Sequence, residues 1–321
     1  MSRPSAVPPP VTAVLDASSR WLPLSLGKVE DLLREQVGAH GRTLGADAEA
    51  TLAAGGKRLR PLLVLLCAGD GGGERALRAA TAIELVHMAT LVHDDVLDDA
   101  PLRRGLPTVA ATSGRDRAVS VGDLLFSRAF ALLAEHGDDR AVSLLAASSV
   151  ALAEGELAQR RDAFDLDISE QRYLDRCRLK TAKLFECACL MGRDVEALGE
   201  FGAEIGLAFQ LLDDVLDVSG PAERTGKARG TDLLDGTVTL PLILARVEDP
   251  SLADADLRAL DPSAAAVLCD RIVATGALEQ VRSRAFAMVS AAKQRLASSP
   301  FDPEQRRLLD LVADGVVQRY S

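Results

Sequence analysis

Two stretches decide how this chain is read: His93-Asp94-Asp95-Val96-Leu97-Asp98-Asp99 and Leu212-Asp213-Asp214-Val215-Leu216-Asp217. Each contains the pattern DDxxD, and each lies in an apolar run of helical period. On an α-helix, residues i and i+4 share a face, so Asp94 stands over Asp98 and Asp213 over Asp217. Like charges one turn apart destabilise a helix, and polar groups set in an apolar helix need a partner. Carboxylates are the ligands of hard cations, and Mg²⁺ is commonly shared between a few carboxylates and substrate phosphates. Two such pairs facing each other would hold Mg²⁺ ions and, through them, a diphosphate. One copy alone would read equally well as a solvated acidic face. Two copies in apolar surroundings, each followed by cations, favour the metal reading.

Composition agrees with a helical protein. Hydrophobic residues make up 48% of the 321 positions and aromatics only 3%, with Ala, Leu and Val dominant, which suits helices better than sheets. The formal charge of -10 argues against nucleic acid as a partner, because a phosphate backbone selects basic surfaces. Cys67, Cys177, Cys187, Cys189 and Cys269 lie in apolar helical runs and read as buried thiols of a reducing compartment. Cys187 and Cys189 point to different helix faces and make a poor metal pair. The Pro-rich start Met1–Pro10 does not look like a secretory signal, and no uninterrupted apolar run approaches membrane-spanning length. A cytoplasmic protein without stable membrane insertion is expected.

Outward from the two motifs, helical patterns follow one another with little interruption. Residues 1–25 read as a loose, flexible tail, and residues 26–321 as a single all-α domain, a bundle around a cavity. Helices are expected over Leu26–Val37, over Asp47–Ala54 with Asp47 as N-cap, and over Arg58–Ala68. Longer ones are expected over Arg75–Asp99, ended by Pro101, and over Asp116–Glu135, Arg140–Arg160, Ser169–Met191 and Val195–Val218. Pro241, Pro250, Pro262, Pro300 and Pro303 break the last third into shorter helices. Gly69–Gly73 reads as a surface loop. No alternating segment is long enough for a credible sheet.

Basic residues are spaced around the acidic motifs in a definite order. Gly55-Gly56-Lys57-Arg58-Leu59-Arg60-Pro61 places three cations where a helix begins, a location that attracts anions. Arg103-Arg104 follows the first motif, Lys180-Thr181 lies in a later helix, Gln210 precedes the second motif, and Lys227 follows it. Singly, each is an ordinary solvated charge. With GGKRLRP (55–61), HDDVLDDAPLRRG (93–105), GDLLFSRAF (122–130), KTAKLF (180–185), FQLLDDVLD (209–217) and TGKARGTDL (225–233) in this order, the chain resembles the trans-polyprenyl diphosphate synthases from about Gly55 to Pro241.

The resemblance implies an isoprenoid synthase-type helical bundle around a deep central cavity, usually a homodimer. It implies head-to-tail condensation of isopentenyl diphosphate onto an allylic prenyl diphosphate, with Mg²⁺ as cofactor. Carried over by position, Asp94, Asp95, Asp98, Asp213, Asp214 and Asp217 form the metal set, and with Lys180 the catalytic set. Lys57, Arg60, His87 and Arg104 would hold isopentenyl diphosphate; Arg103, Lys180, Thr181, Gln210 and Lys227 would hold the allylic diphosphate. No side-chain base is assigned, since the departing diphosphate takes the proton. His87 precedes Asp94 by two helical turns on the same face; from the residues alone it reads as a packed core histidine. His93 points elsewhere and reads as structural. Two departures stand out: Thr237 where relatives often carry Lys, and Val109-Ala110-Ala111 where they often place Asn and an aromatic.

The resemblance also frames product length. The allylic tail is expected to run down the long helix toward its N-terminus, about one isoprene unit per 5.4 Å turn. Thr90 and Ala89, four and five residues before Asp94, are small, with Val86, Ile83 and Ala82 further back; nothing on this helix stops a farnesyl tail, so a long product is expected. Ile83, Phe126 or Phe130 would form a deeper floor. The C-terminal Val316-Val317-Gln318-Arg319 also resembles long-chain members. The alternatives are a geranylgeranyl or other short-chain synthase, or the catalytic subunit of a heteromeric one. A class I terpene cyclase would lack GGKRLRP and the second DDxxD, and a non-catalytic subunit would carry degraded motifs.

Overall fold

The computed structural model describes residues 9–18, 21–38, 41–220, 229–299 and 301–318. The expected all-α isoprenoid synthase-type bundle is what forms. Its first helices are α1 (Pro9–Ala17), α2 (Trp21–Gly38), α3 (Gly41–Ala53), α4 (Leu59–Ala68) and α5 (Gly73–Leu97). After a short hairpin, β1 (Leu102–Arg103) and β2 (Leu106–Pro107), come α6 (Val109–Ser113), α7 (Arg115–Ala134), α8 (Asp139–Arg161) and α9 (Glu170–Cys177). A π turn (Arg178–Ala182) joins α9 to α10 (Lys183–Gly192), which is followed by α11 (Glu196–Ser219). The remainder comprises α12 (Thr231–Leu234), α13 (Leu240–Glu248), α14 (Pro262–Ala274), α15 (Ala277–Ala297) and α16 (Pro303–Gln318).

The centre is α5, which carries buried residues around its whole circumference from Ala76 to Val96, as a helix enclosed by others must. It packs along α7 and against α2, α4 and α10; α11 packs against α10 and α15. Helix starts follow capping chemistry: Asp138, Ser169 and Asp261 each accept a backbone N–H of the first turn, and Pro262 opens α14.

Several expectations need correction. The tail read over residues 1–25 is helical from Pro9, and Val14 and Leu22 are fully buried. Apolar residues between the prolines of this segment, sparse as they are, suffice to pack α1 on α16. Asp47 is not an N-cap, because α3 begins at Gly41; its carboxylate instead takes Arg117 at 2.5 Å and the Ser113 hydroxyl at 3.1 Å. A two-stranded ribbon exists where no sheet was expected, turned by Arg104 and Gly105, both at positive φ, the signature of a tight hairpin turn.

Candidate active site

The C-terminal ends of α5 and α11 face each other across a cavity of 320 Å³. His87, Thr90, Leu91, Asp94 and Asp98 line it from α5, and Phe209, Gln210, Asp213 and Asp214 from α11. Arg60 enters from α4, Arg103 from the hairpin, and Lys180 and Thr181 from the π turn. Acids at a helix C-terminus oppose the partial negative charge of the last carbonyls. The arrangement therefore costs stability unless cations are near.

At the first motif the protein supplies those cations itself. Arg160 of α8 reaches Asp98 at 2.9 Å, and Arg103 grips Asp95 at 2.6 Å. Lys180 is held by Glu156 at 2.5 Å. Burial would lower the Lys180 ammonium, but Asp94 and Glu156 outweigh it and raise its pKa. Asp94 itself is pushed up to about 6, chiefly by burial, with Lys180 opposing and Glu156 and Asp98 adding to the shift. Its charge is thus undercompensated.

The second motif is organised differently. Asp213 is exposed toward the cavity mouth, whereas Asp214 is buried. The Gln210 amide donates to Asp214 Oδ1 at 2.7 Å, the Tyr173 hydroxyl donates to Oδ2, and the Thr181 hydroxyl donates to Gln210 Oε1 at 2.8 Å. Burial, then the nearby Asp232, lift the Asp214 carboxyl to about 8. Asp217 turns away and accepts the backbone N–H of Asp232 at 3.2 Å, anchoring α12.

The basic end lies beside His87. Arg60 is half-buried over the Phe185 ring, 4.7 Å from its centroid, and its buried Nε has no hydrogen-bond partner among the described residues. Burial lowers its pKa to about 10, against the field of Glu84. His87 is held neutral by burial and by Arg60, Arg104, Arg103 and Arg58 around it. The Lys57 ammonium lies 5.8 Å from the centroid of Phe209, itself a cavity residue. Arg103, Arg104, Asp95 and His87 also line a second, adjoining space of 340 Å³ toward α3 and α6.

One cavity thus collects Arg60, His87, Asp94, Asp98, Arg103, Lys180, Thr181, Gln210, Asp213 and Asp214. Asp95 and Asp217 do not line it, Arg104 lies in the adjoining space, and Lys227 falls outside the described residues. His93 stacks on Phe126 with centroids 5.9 Å apart and approaches Asp123, a packing role as read. Phe126 therefore sits beside the acidic motif and is not a deep floor. The residues missed by sequence reasoning are Glu84, Glu156, Arg160 and Tyr173. Of these only Glu84 had a visible signal, a charge within Ala82-Ile83-Glu84-Leu85-Val86.

With the geometry in hand, comparison with known proteins is direct. The polyprenyl synthetase family profile matches residues 42–265. The chain belongs to the polyprenyl synthetase family. It is 43% identical over 241 residues to heptaprenyl diphosphate synthase component 2 of Geobacillus stearothermophilus, covering 72% of this chain and 75% of the relative. It is 35% identical over 280 residues to octaprenyl diphosphate synthase of Escherichia coli, covering 83% and 86%. A crystal structure of the Caulobacter crescentus CB15 polyprenyl synthase, complexed with calcium and isoprenyl diphosphate, superposes with a TM-score of 0.90 at 35% identity, over 99% and 100% of the two chains. As a member of this family the chain is a prenyltransferase.

Among the described residues no group of three or more His, Cys, Asp or Glu side chains is already gathered as a metal cage. The donor set nevertheless fits a hard divalent cation. It is all oxygen, it faces a cavity from two helices, and the charge of half-buried Asp94 is incompletely offset. Such ions complete their shells with substrate phosphate and water, so a full cage of protein ligands is not required.

Proposed function

We propose that this prenyltransferase condenses isopentenyl diphosphate head-to-tail onto an allylic diphosphate and releases a long-chain trans-polyprenyl diphosphate. The observation that carries the reading is one cavity with two unlike ends. Acid pairs from α5 and α11 stand at one, and the buried Nε of Arg60, without a hydrogen-bond partner among the described residues, stands at the other beside neutral His87. Mg²⁺ held by Asp94, Asp98 and Asp213 would neutralise the leaving diphosphate as its bond to the allylic carbon breaks. Lys180, Arg103, Thr181 and Gln210 orient that diphosphate, and Lys227 joins them by position. Arg60, His87, Arg104 and Lys57 hold isopentenyl diphosphate with its double bond toward the allylic carbon. Asp95, Asp214 and Asp217, tied to Arg103, to Gln210 and Tyr173, and to the α12 backbone, keep the two acidic faces in register. Leu91, Leu152, Leu184 and Phe209 supply an apolar patch in an otherwise polar wall, and against that patch few nucleophiles reach the carbocation. The proton lost from C2 leaves with the diphosphate.

A long product is supported by the small side chain at Thr90, a cavity residue, and by the heptaprenyl and octaprenyl activities named for the relatives. Self-association as a homodimer is supported by α8, the one described helix long and apolar enough to cross a membrane by length and composition. It packs into the bundle through Ala141, Leu145, Ala151 and Gly155. It leaves Ala146, Val150, Ala153 and Leu157 exposed along one face, with Val150 at 60% and Leu157 at 56%. A second copy would cover such a face. Five buried free cysteines fit a cytoplasmic protein. The test is product mass after incubation with farnesyl and isopentenyl diphosphates and Mg²⁺, alongside the size of the purified chain in solution. Products of seven or more isoprene units are expected with Mg²⁺, none in excess chelator, from a protein of twice the chain mass. Chelator-resistant turnover would refute the metal assignment, farnesylgeranyl or shorter products the long-chain reading, and a monomer the dimer.

A further inference from the structure

Glu84 lies on α5 just under one turn before His87, with its side chain only 3% exposed. Its neighbours Ile83 and Leu85 are fully buried, and a carboxylate in such surroundings persists only where cations meet it. Arg58 Nη1 donates to Glu84 Oε1 at 2.9 Å, and the same guanidinium reaches Glu30 of α2. A Cβ built on Gly56 would lie 2.6 Å from Arg58 Nη1, 3.4 Å from Arg104 Nη1 and 3.5 Å from Glu84 Oε1. Two guanidinium groups and one carboxylate therefore converge on Gly56, a place in the turn that lacks a side chain.

Both arginines also hold an uncommon backbone. Arg58 has φ 48° and Arg104 φ 54°, the left-handed region that residues with a Cβ avoid and keep only where the surroundings impose it. Arg58 begins the turn into α4, which carries Arg60; Arg104 is the tip of the hairpin. The two segments are far apart in sequence, and the Glu84 carboxylate lies at the point where they meet. Glu84 also opposes the loss of charge that burial causes at Arg60 and Arg104.

We propose that Glu84 is the positioning residue of the isopentenyl diphosphate cradle, fixing Arg58 and Arg104 against Gly56 so that Arg60, Arg104 and His87 converge on the incoming diphosphate. The proposal rests on the functional reading above. Charge alone predicts the opposite behaviour: an anion removed from among cations strengthens their pull on a diphosphate. Positioning predicts a weaker site, because the arginines relax from their strained conformations and from each other.

The test is steady-state kinetics of the full chain with isopentenyl and farnesyl diphosphates varied separately. In Glu84→Gln, which keeps shape and removes charge, KM for isopentenyl diphosphate should rise about ten- to a hundred-fold, the loss of one charge-assisted contact, with KM for farnesyl diphosphate within about twofold. An unchanged or lower KM for isopentenyl diphosphate overturns the proposal. If Glu84→Gln does not fold, Gly56→Ala displaces the Arg58 guanidinium from beside Glu84 with no change of charge and must show the same split; a folded Gly56→Ala with wild-type KM overturns it equally. A wild-type chain that does not consume isopentenyl diphosphate would defeat the functional reading and this proposal together. Wild-type turnover without the split defeats the role of Glu84 alone.

Discussion

Replacing Gly155 with alanine sets two well-measured effects against each other. Gly155 is buried within α8, where helix propensity alone favours Ala over Gly by about 1 kcal/mol. A Cβ at this position, however, would lie 2.6 Å from Lys180 N, 2.9 Å from Lys180 Cα and 3.0 Å from Leu179 Cβ. Two of these are backbone atoms of the π turn, which cannot swing aside as the end of a side chain would. Overpacking of this kind costs about 1–3 kcal/mol, so the net change is a destabilisation of roughly 0–2 kcal/mol, or up to about 8 °C in melting temperature. The larger consequence is functional. The π turn presents Lys180 and Thr181 to the cavity, and α8 would push it toward α11. Losing one charge-assisted phosphate contact is worth about 1.5–3 kcal/mol, a rise of roughly ten- to a hundred-fold in KM for the allylic diphosphate. Initial rates with farnesyl diphosphate varied, together with thermal unfolding, provide the check. A Gly155→Ala chain that melts higher than wild type with an unchanged allylic KM would show that the π turn is not held by this contact.

Two further outcomes follow from the same geometry. Because the folded pKa of Asp94 is raised to about 6, its contribution to stability is full below the unfolded value near 4 and is lost as pH rises through 6. In chelator-treated protein, Asp94→Asn should therefore stabilise at pH 7.5 by up to about 3 kcal/mol and have little effect near pH 4, as read by urea unfolding; equal effects at both pH values would contradict the assignment. Thr90→Phe places a ring on the cavity face of α5, and the enzyme should still consume isopentenyl diphosphate while releasing products near farnesyl in length. An unchanged product distribution by mass would remove the cavity face of α5 from the path of the tail.

The architecture was legible because its signals were periodic. Apolar spacing and proline breaks locate nearly every long helix, and the paired DDxxD motifs place the cavity at the ends of two of them. What escaped was what only tertiary contact decides. Glu156 and Arg160 look like ordinary charges on α8 until Lys180 and Asp98 are brought against them. Tyr173 is one of two tyrosines in the chain, and nothing in its neighbours tells that its hydroxyl meets Asp214. Pro8-Pro9-Pro10 reads as a helix breaker in sequence, whereas the first helix begins at Pro9, a position where proline is favourable. Within the motifs, spacing grouped six carboxylates, whereas the fold divides them. Asp94, Asp98, Asp213 and Asp214 line the cavity, whereas Asp95 is gripped by Arg103 and Asp217 meets the α12 backbone.

The two faces of α5 have a consequence for how length could be measured. Ile83, His87, Thr90 and Asp94 fall on the cavity side by helical spacing, while Ala82, Val86 and Ala89 share the side of His93, which is packed against α7. Ala82, Ile83, Val86 and Ala89 are all fully buried, and no α5 residue before His87 lines the open cavity. If the hydrocarbon grows along α5 beyond Thr90, it has to part these fully buried side chains turn by turn. Each added unit would then meet a mounting resistance from packed helices. On such a seam, product length would be fixed by the point at which release outruns further separation. A ruler of this kind grades its products into a distribution, and it shifts with temperature and with any ligand that stiffens the pair of helices.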